Sequence, residues 1–123
     1  MNGFITDIEK DTLDNNFFRR VLYTARNSQL VVMALKPGEE IGEEVHEGHD
    51  QFIRIESGEG EVVLNGEIHF VKDDFAVVVP AGVRHNVVNT SNGWMKLYTI
   101  YSPPEHKEGT VHQTKEDALR EKH

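Results

Sequence analysis

The chain has no cysteine. A disulfide scaffold, a zinc finger, an iron–sulfur site and thiol catalysis are therefore excluded. It also lacks any apolar run of about 18 residues, so no segment reads as a helical bilayer span. Met1 to Lys10 has no basic-then-apolar leader pattern, and a cytoplasmic location is the expectation. Basic residues are in the minority, 13 against 21 acidic ones, for a formal charge of −8. They form no stripe that would track a phosphate backbone, so nucleic acid is not an expected partner. Small cationic or neutral molecules remain, as do anions neutralised by a bound metal. What is present fits one globular domain: 123 residues, 37% hydrophobic and 28% charged, too apolar for a disordered chain.

Residues 1–16 are mostly polar, with Phe4, Ile5 and Ile8 as the apolar exceptions, and read as a loose arm. Residues 17–101 read as a barrel. Short runs rich in Val, Ile and aromatics are separated by turn residues at about 8–12-residue spacing, the rhythm of an all-β sandwich or barrel. The runs are Phe17–Ala25, Gln29–Leu35, Glu43–His46, Gln51–Glu56, Glu61–Leu64, Glu67–Val71, Phe75–Val79, His85–Asn89 and Trp94–Tyr101. Asn65-Gly66 is the clearest hairpin signal, because both central residues of a type I′ turn need φ > 0. Pro37-Gly38, Gly58-Glu59-Gly60, Pro80-Ala81-Gly82 and Asn92-Gly93 mark other reversals. Residues 102–123 form a tail. Ser102-Pro103-Pro104 ends the last strand, and Thr114 to Lys122 reads as a short helix with Thr114 as N-cap and Asp117 completing a capping box.

Strand alternation sorts the polar residues. Arg54 and Glu56 choose the solvent face of Gln51–Glu56, so Ile53 and Ile55 point inward and Gln51 goes with them. A glutamine on an apolar face needs a reason. Glu44 and His46 share one face of their run, although alternation alone does not say which face is inside. His85, Val87 and Asn89 share a face. Imidazole, carboxylate and amide oxygen converging on one interior point would suit Mn, Fe, Ni, Co or Zn.

At these residues the chain resembles the cupin superfamily. Pro37-Gly38 through Gln51 to Gly58 follows the first cupin signature, and Pro80-Ala81-Gly82-Val83-Arg84-His85-Asn86-Val87-Val88-Asn89 follows the second, with Asp74 in place of its leading glycine. The resemblance implies a double-stranded β-helix, or jelly roll, with a divalent transition metal inside one end. It maps the usual His-His-Glu-His ligand set onto Glu44, His46, Gln51 and His85. Every replacement keeps an oxygen donor, as a variant metal site would. His49 competes for a ligand role only if Glu47 to Asp50 forms a turn; otherwise it lies at the mouth. His69 reads as a surface residue, as does Arg84. His106 and His112 read as solvated, with a role only if the tail folds over the mouth. His123 is terminal.

Cupins span many functions, so three readings follow. The first is a metal-dependent enzyme acting on a small polar or sugar-like molecule by isomerase, epimerase or related lyase chemistry, with Glu44 as ligand or general base. Glu, Gln and two His resemble the ligand chemistry of cupin phosphomannose isomerases, although this chain lacks their length and their basic phosphate-binding residues. The second is an iron- or nickel-dependent dioxygenase, and the third a binding or sensing module without turnover. A homodimer is also expected. The apolar residues of Phe17–Ala25 and Gln29–Leu35 exceed what one face of a hairpin can bury, and a sandwich edge must be covered.

Overall fold

A computed structural model describes residues 2–121. Nine strands and two helices follow in the order α1 (Ile8–Asp14), β1 (Arg19–Thr24), β2 (Gln29–Leu35), β3 (Asp50–Ser57), β4 (Glu59–Leu64), β5 (Glu67–Lys72), β6 (Ala76–Val79), β7 (His85–Val88), β8 (Met95–Ser102), β9 (Val111–His112) and α2 (Lys115–Arg120). The strands form two antiparallel sheets, β6-β3-β8-β2-β1-β9 and β5-β4-β7. Inward residues of both sheets build the core. Val31, Met33, Leu35, Ile53, Ile55 and Leu97 of the large sheet meet Val62, Val71 and Val87 of the small one.

The alternation read from sequence holds at the strands that matter. Gln51, Ile53 and Ile55 are buried, and so are His85, Val87 and Asn89. Asn65 (φ 49°) and Gly66 (φ 85°) make the expected hairpin turn. Asp74, where the family pattern has glycine, adopts φ 73°. Asn89 is a structural residue: its amide donates to the carbonyls of Leu35, Lys36 and Gly93. Gly60 is required by packing, since a Cβ there would meet the Val88 carbonyl oxygen at 2.2 Å.

Three expectations need correction. The first is the loose arm, which contains α1. Asp7 caps the helix by accepting from the Lys10 backbone N–H, and α1 packs across the outer face of β2, β3 and β8. Lys96, 9% exposed, closes the helix C-terminus. Its ammonium donates to the carbonyls of Leu13 and Asn15 and to Asn16 Oδ1, where the helix dipole favours a cation. Burial holds its pKa below the usual lysine value.

The second is the Glu43–His46 strand. It is one bridge, Glu44 to His85, in an irregular loop. The third concerns the tail and the N-terminal hairpin. β9 pairs with β1 (Arg19 opposite His112, Arg20 opposite Val111), so the tail caps the edge expected to need a partner subunit. Phe18, Val21, Val31, Val32, Met33 and Leu35 are all buried within the one chain. Phe17 and Leu22 are half-buried, so most of the hairpin's apolar surplus is covered within the chain, while Phe4 and Ile5 of the arm stay exposed. The capping box at Thr114 and Asp117 is present; Lys122 and His123 lie outside the described residues.

Candidate metal centre

Backbone pairing sets the site. The loop between β2 and β3 runs back along β7. Ile41 N–H donates to the Val87 carbonyl at 2.9 Å, Glu44 N–H to the His85 carbonyl at 2.8 Å, and His85 N–H to the Glu44 carbonyl at 2.9 Å. Glu44 and His85 thus stand opposite each other as a doubly bonded antiparallel pair, with side chains on the same face. His46, two residues on, returns to that face, and its carbonyl accepts from Gly82 N–H at 2.9 Å. The His46 and His85 rings lie 5.2 Å apart, and His46 meets Tyr101 edge-on at 5.9 Å. Gln51 enters from β3 opposite Tyr101.

The hydrogen bonds aim the donor atoms. His85 Nδ1–H donates to the Val83 carbonyl at 2.9 Å, which leaves Nε2 with its lone pair free. Gln51 Nε2 donates to Thr99 Oγ1 at 3.0 Å, which turns Oε1 away from that partner. His85 Nε2, His46 Nε2 and Gln51 Oε1 are all buried and lack a hydrogen-bond partner. His46 Nε2 is 3.3 Å from Glu44 Oε1, close enough for charge attraction but without hydrogen-bond geometry. Buried polar atoms are normally satisfied; His46 Nε2 and His85 Nε2 are two such orphans beside the Glu44 carboxylate, and Gln51 Oε1 is a third on the inward face of β3. Donor atoms of Glu44, His46 and His85 lie within 4.8 Å of one another. Ligand bonds of about 2.0–2.2 Å put two atoms on one ion at most roughly 4.4 Å apart, so little closure is needed. Two imidazoles, one carboxylate and one amide oxygen fit a borderline divalent transition ion.

Glu44 and His46 bias each other toward their charged forms. Burial alone would raise the Glu44 carboxyl, but the His46 imidazole, Arg19 and His85 outweigh it and hold the carboxyl below its usual value. Glu44 in turn, against burial, holds the His46 imidazolium above its ordinary value.

The surroundings contain what the sequence reading missed. The tail does fold over the mouth. Buried Gln29 binds it, donating Nε2–H to the His106 carbonyl at 2.7 Å and accepting from His106 N–H at 2.9 Å. Glu105 then lies 3.6 Å from His46 Nδ1 and 3.2 Å from His49 Nε2. His49 Nδ1–H donates to the Pro103 carbonyl at 2.7 Å. His49 is outside the ligand cluster and fastens the tail to it. His106 packs edge-on against Tyr101 at 5.2 Å. Burial, helped by Arg19, pushes the His106 pKa down to about 3, and burial pushes the Tyr101 phenol up. His112 is buried between Arg19 Nη1 (3.3 Å) and Glu121 (2.7 Å). His69 is exposed beside Glu67, and Arg84 is exposed beside Glu43, as read. A cavity of about 510 Å³ opens between the 41–44 loop, β1 and the tail, and Glu44 is the one candidate ligand that lines it.

Comparison with known proteins agrees with this geometry. The family model described as a cupin domain matches residues 31–101. The Bacillus subtilis (strain 168) protein YrkC, described as uncharacterized, is 48% identical over 122 residues, 94% of this chain and 66% of YrkC. The uncharacterized protein L612 of Acanthamoeba polyphaga mimivirus is 41% identical over 113 residues, 88% of this chain and 70% of L612. The chain thus spans about two thirds of the length of these two relatives. The crystal structure of BH2720 from Bacillus halodurans shares 43% identity and a TM-score of 0.95, covering 97% of this chain and 95% of that one. With its two-sheet jelly roll, its inward Glu44, His46 and His85, and a family match over the barrel, the chain belongs to the cupin family.

Proposed function

We propose that the chain is a metal-dependent enzyme acting on a small polar molecule, with Glu44, His46, Gln51 and His85 holding one divalent transition-metal ion. The observation that carries this is the cluster of Glu44, His46 and His85 donor atoms, with His46 Nε2 and His85 Nε2 buried and unpartnered; Gln51 Oε1, also buried and unpartnered, is the fourth donor in this reading. Such an ion would polarise a carbonyl or hydroxyl of a bound molecule. Glu44 touches both the centre and the cavity, so its carboxylate can serve as ligand or, released, as a proton acceptor for a molecule seated there. The cavity volume, about 510 Å³, lies in the small-molecule range of roughly 300–1,000 Å³. The covering tail limits the entry of water.

Metal analysis of tag-free protein tests the proposal. His46→Ala and His85→Ala should each lose most bound metal while keeping the β circular-dichroism spectrum, because the apolar core does not depend on the ion. Full metal retention in both variants overturns the metal reading.

Self-association is proposed on a face other than the hairpin. Leu30, Ile100, Phe52 and Val78 lie in one cross-strand row over four strands of the large sheet. Their side chains alternate with the core residues and so point outward, and Val78 is 65% exposed. An uncharged row lets two copies of an acidic chain meet about a two-fold axis without opposing charges.

A further inference from the structure

Arg19 is the least explained polar residue in the molecule. It is 7% exposed, and it lies at the start of β1 on the inward phase shared with Val21. Its guanidinium sits 5.2 Å from the Phe18 ring centroid, and Nη1 lies 3.3 Å from His112 Nδ1. No other hydrogen bond engages the fork among the described residues. Nε is buried and unpartnered, and Arg19 forms no ion pair there. Neither His112 nor the phenyl ring offers the guanidinium a carboxylate: Nη1 faces His112 Nδ1, and His112 Nε2 faces Glu121. A buried guanidinium normally has a carboxylate or phosphate partner, because desolvating it alone is costly. The four acids that line its cavity are engaged elsewhere: Glu44 with His46, Glu105 with His46 and His49, Glu43 with Arg84 and Glu121 with His112.

We infer that the cavity beside the metal centre binds a small organic acid, whose carboxylate is received by the Arg19 fork. A planar guanidinium with unused donors is matched in shape and charge by a carboxylate. Arg19 lines the same cavity as Glu44, so an acid held there by its carboxylate presents its remaining oxygens toward the metal centre. The donor set favours this sign of charge. Glu44 is the only anionic member of the four, so a dication held by it leaves the centre net positive. His106, whose Nε2 is buried and unpartnered, lines the same wall and supplies a polar atom for the rest of the ligand. This inference rests on the proposed function for where the acid's other end lies, but not for the carboxylate contact itself.

The test follows the Arg19 Nε–H resonance by ¹⁵N-edited NMR in protein stripped of metal with a chelator. Pyruvate and lactate are the probes, and methyl pyruvate and lactamide are the uncharged controls. The acids should shift this resonance saturably, whereas the ester and amide should not. Arg19→Lys keeps the charge but loses the fork, and should weaken acid binding by about tenfold or more. A resonance that ignores both acids, or moves equally with the neutral controls, overturns the inference; it would mean that Arg19 serves only to hold His112 and the tail. The resonance is read in the parent protein, so the result does not depend on whether Arg19→Lys folds. His85→Ala separates the two claims. If it binds no metal yet its Arg19 resonance still responds to pyruvate, both stand. If the parent binds no metal but responds to pyruvate, only the metal reading falls.

Discussion

Gln51 offers a test in which stability changes sign with metal. Its Oε1 is buried without a partner, which costs about 1–3 kcal/mol in the metal-free protein, whereas its bond to Thr99 contributes only about 0.5–1.5 kcal/mol. Gln51→Leu alone relieves the first term but strands the Thr99 hydroxyl, which is 0% exposed. Gln51→Leu combined with Thr99→Val removes both polar partners at nearly constant shape. The double variant should then equal the parent in metal-free stability or exceed it by up to about 1–2 kcal/mol. Metal reverses the order. At free metal 100 times Kd the ion adds about 2.7 kcal/mol to the parent, and a hundredfold weaker site leaves about 0.4 kcal/mol. The assay is urea unfolding of parent and double variant, once with chelator and once at fixed free metal. The expected result is a crossover, with the variant at least as stable as the parent without metal and less stable with it. Equal stabilisation of both proteins by metal would refute the reasoning and reduce Gln51 to lining. Gln51→Glu should keep metal and change its preference, because it adds charge at constant length.

Two further outcomes follow from the geometry. His106 has a folded pKa of about 3 against an ordinary 6.5, so between these values the unfolded chain binds a proton that the folded chain refuses. The His106 contribution to stability is lost as pH drops below about 6.5, opposite in sign to that of His46, and urea unfolding of metal-free His106→Asn between about pH 6.5 and 5 should show less loss, or more gain, than the parent. Equal slopes would place the acid sensitivity elsewhere. Sedimentation at micromolar concentration should give about twice the 14.0 kDa chain mass and revert to one chain mass in Val78→Glu. A monomeric parent would overturn self-association through the outer row.

The difference between what was legible in the sequence and what was not has a physical basis. Strand alternation is local. Arg54 and Glu56 alone decide that Ile53, Ile55 and Gln51 face inward, and the family spacing then pairs Gln51 with His85. The fold brings Glu44, His46 and His85 together because a bridge pairs Glu44 with His85 and the next same-face residue is His46. α1 was missed and the segment read as a loose arm: Asp7 as N-cap and the shared face of Ile8 and Thr12 are weak signals, and a helix of seven residues is below what stands alone in water. It is held by docking and by Lys96, a residue 82 positions beyond its last turn.

The tail was illegible for a stronger reason. Nothing in the local sequence around Glu105 and His106 distinguishes a solvated segment from a covering one. What fixes it is Gln29, which presents an amide oxygen and an amide N–H to the N–H and carbonyl of one residue, His106, 77 positions away. A glutamine at a strand's first position reads as an edge residue until its partner is known. The same pairing explains why Arg19 carries no motif yet is buried. β9 lies beside β1 and His112 meets the guanidinium, so tail and arginine shape the cavity together. The part of the site that discriminates among ligands is therefore built from long-range contacts to the tail, whereas the candidate ligand set is built from barrel spacing. Changes in the tail can then alter what the cavity accepts while the barrel and its inward donors stay as they are.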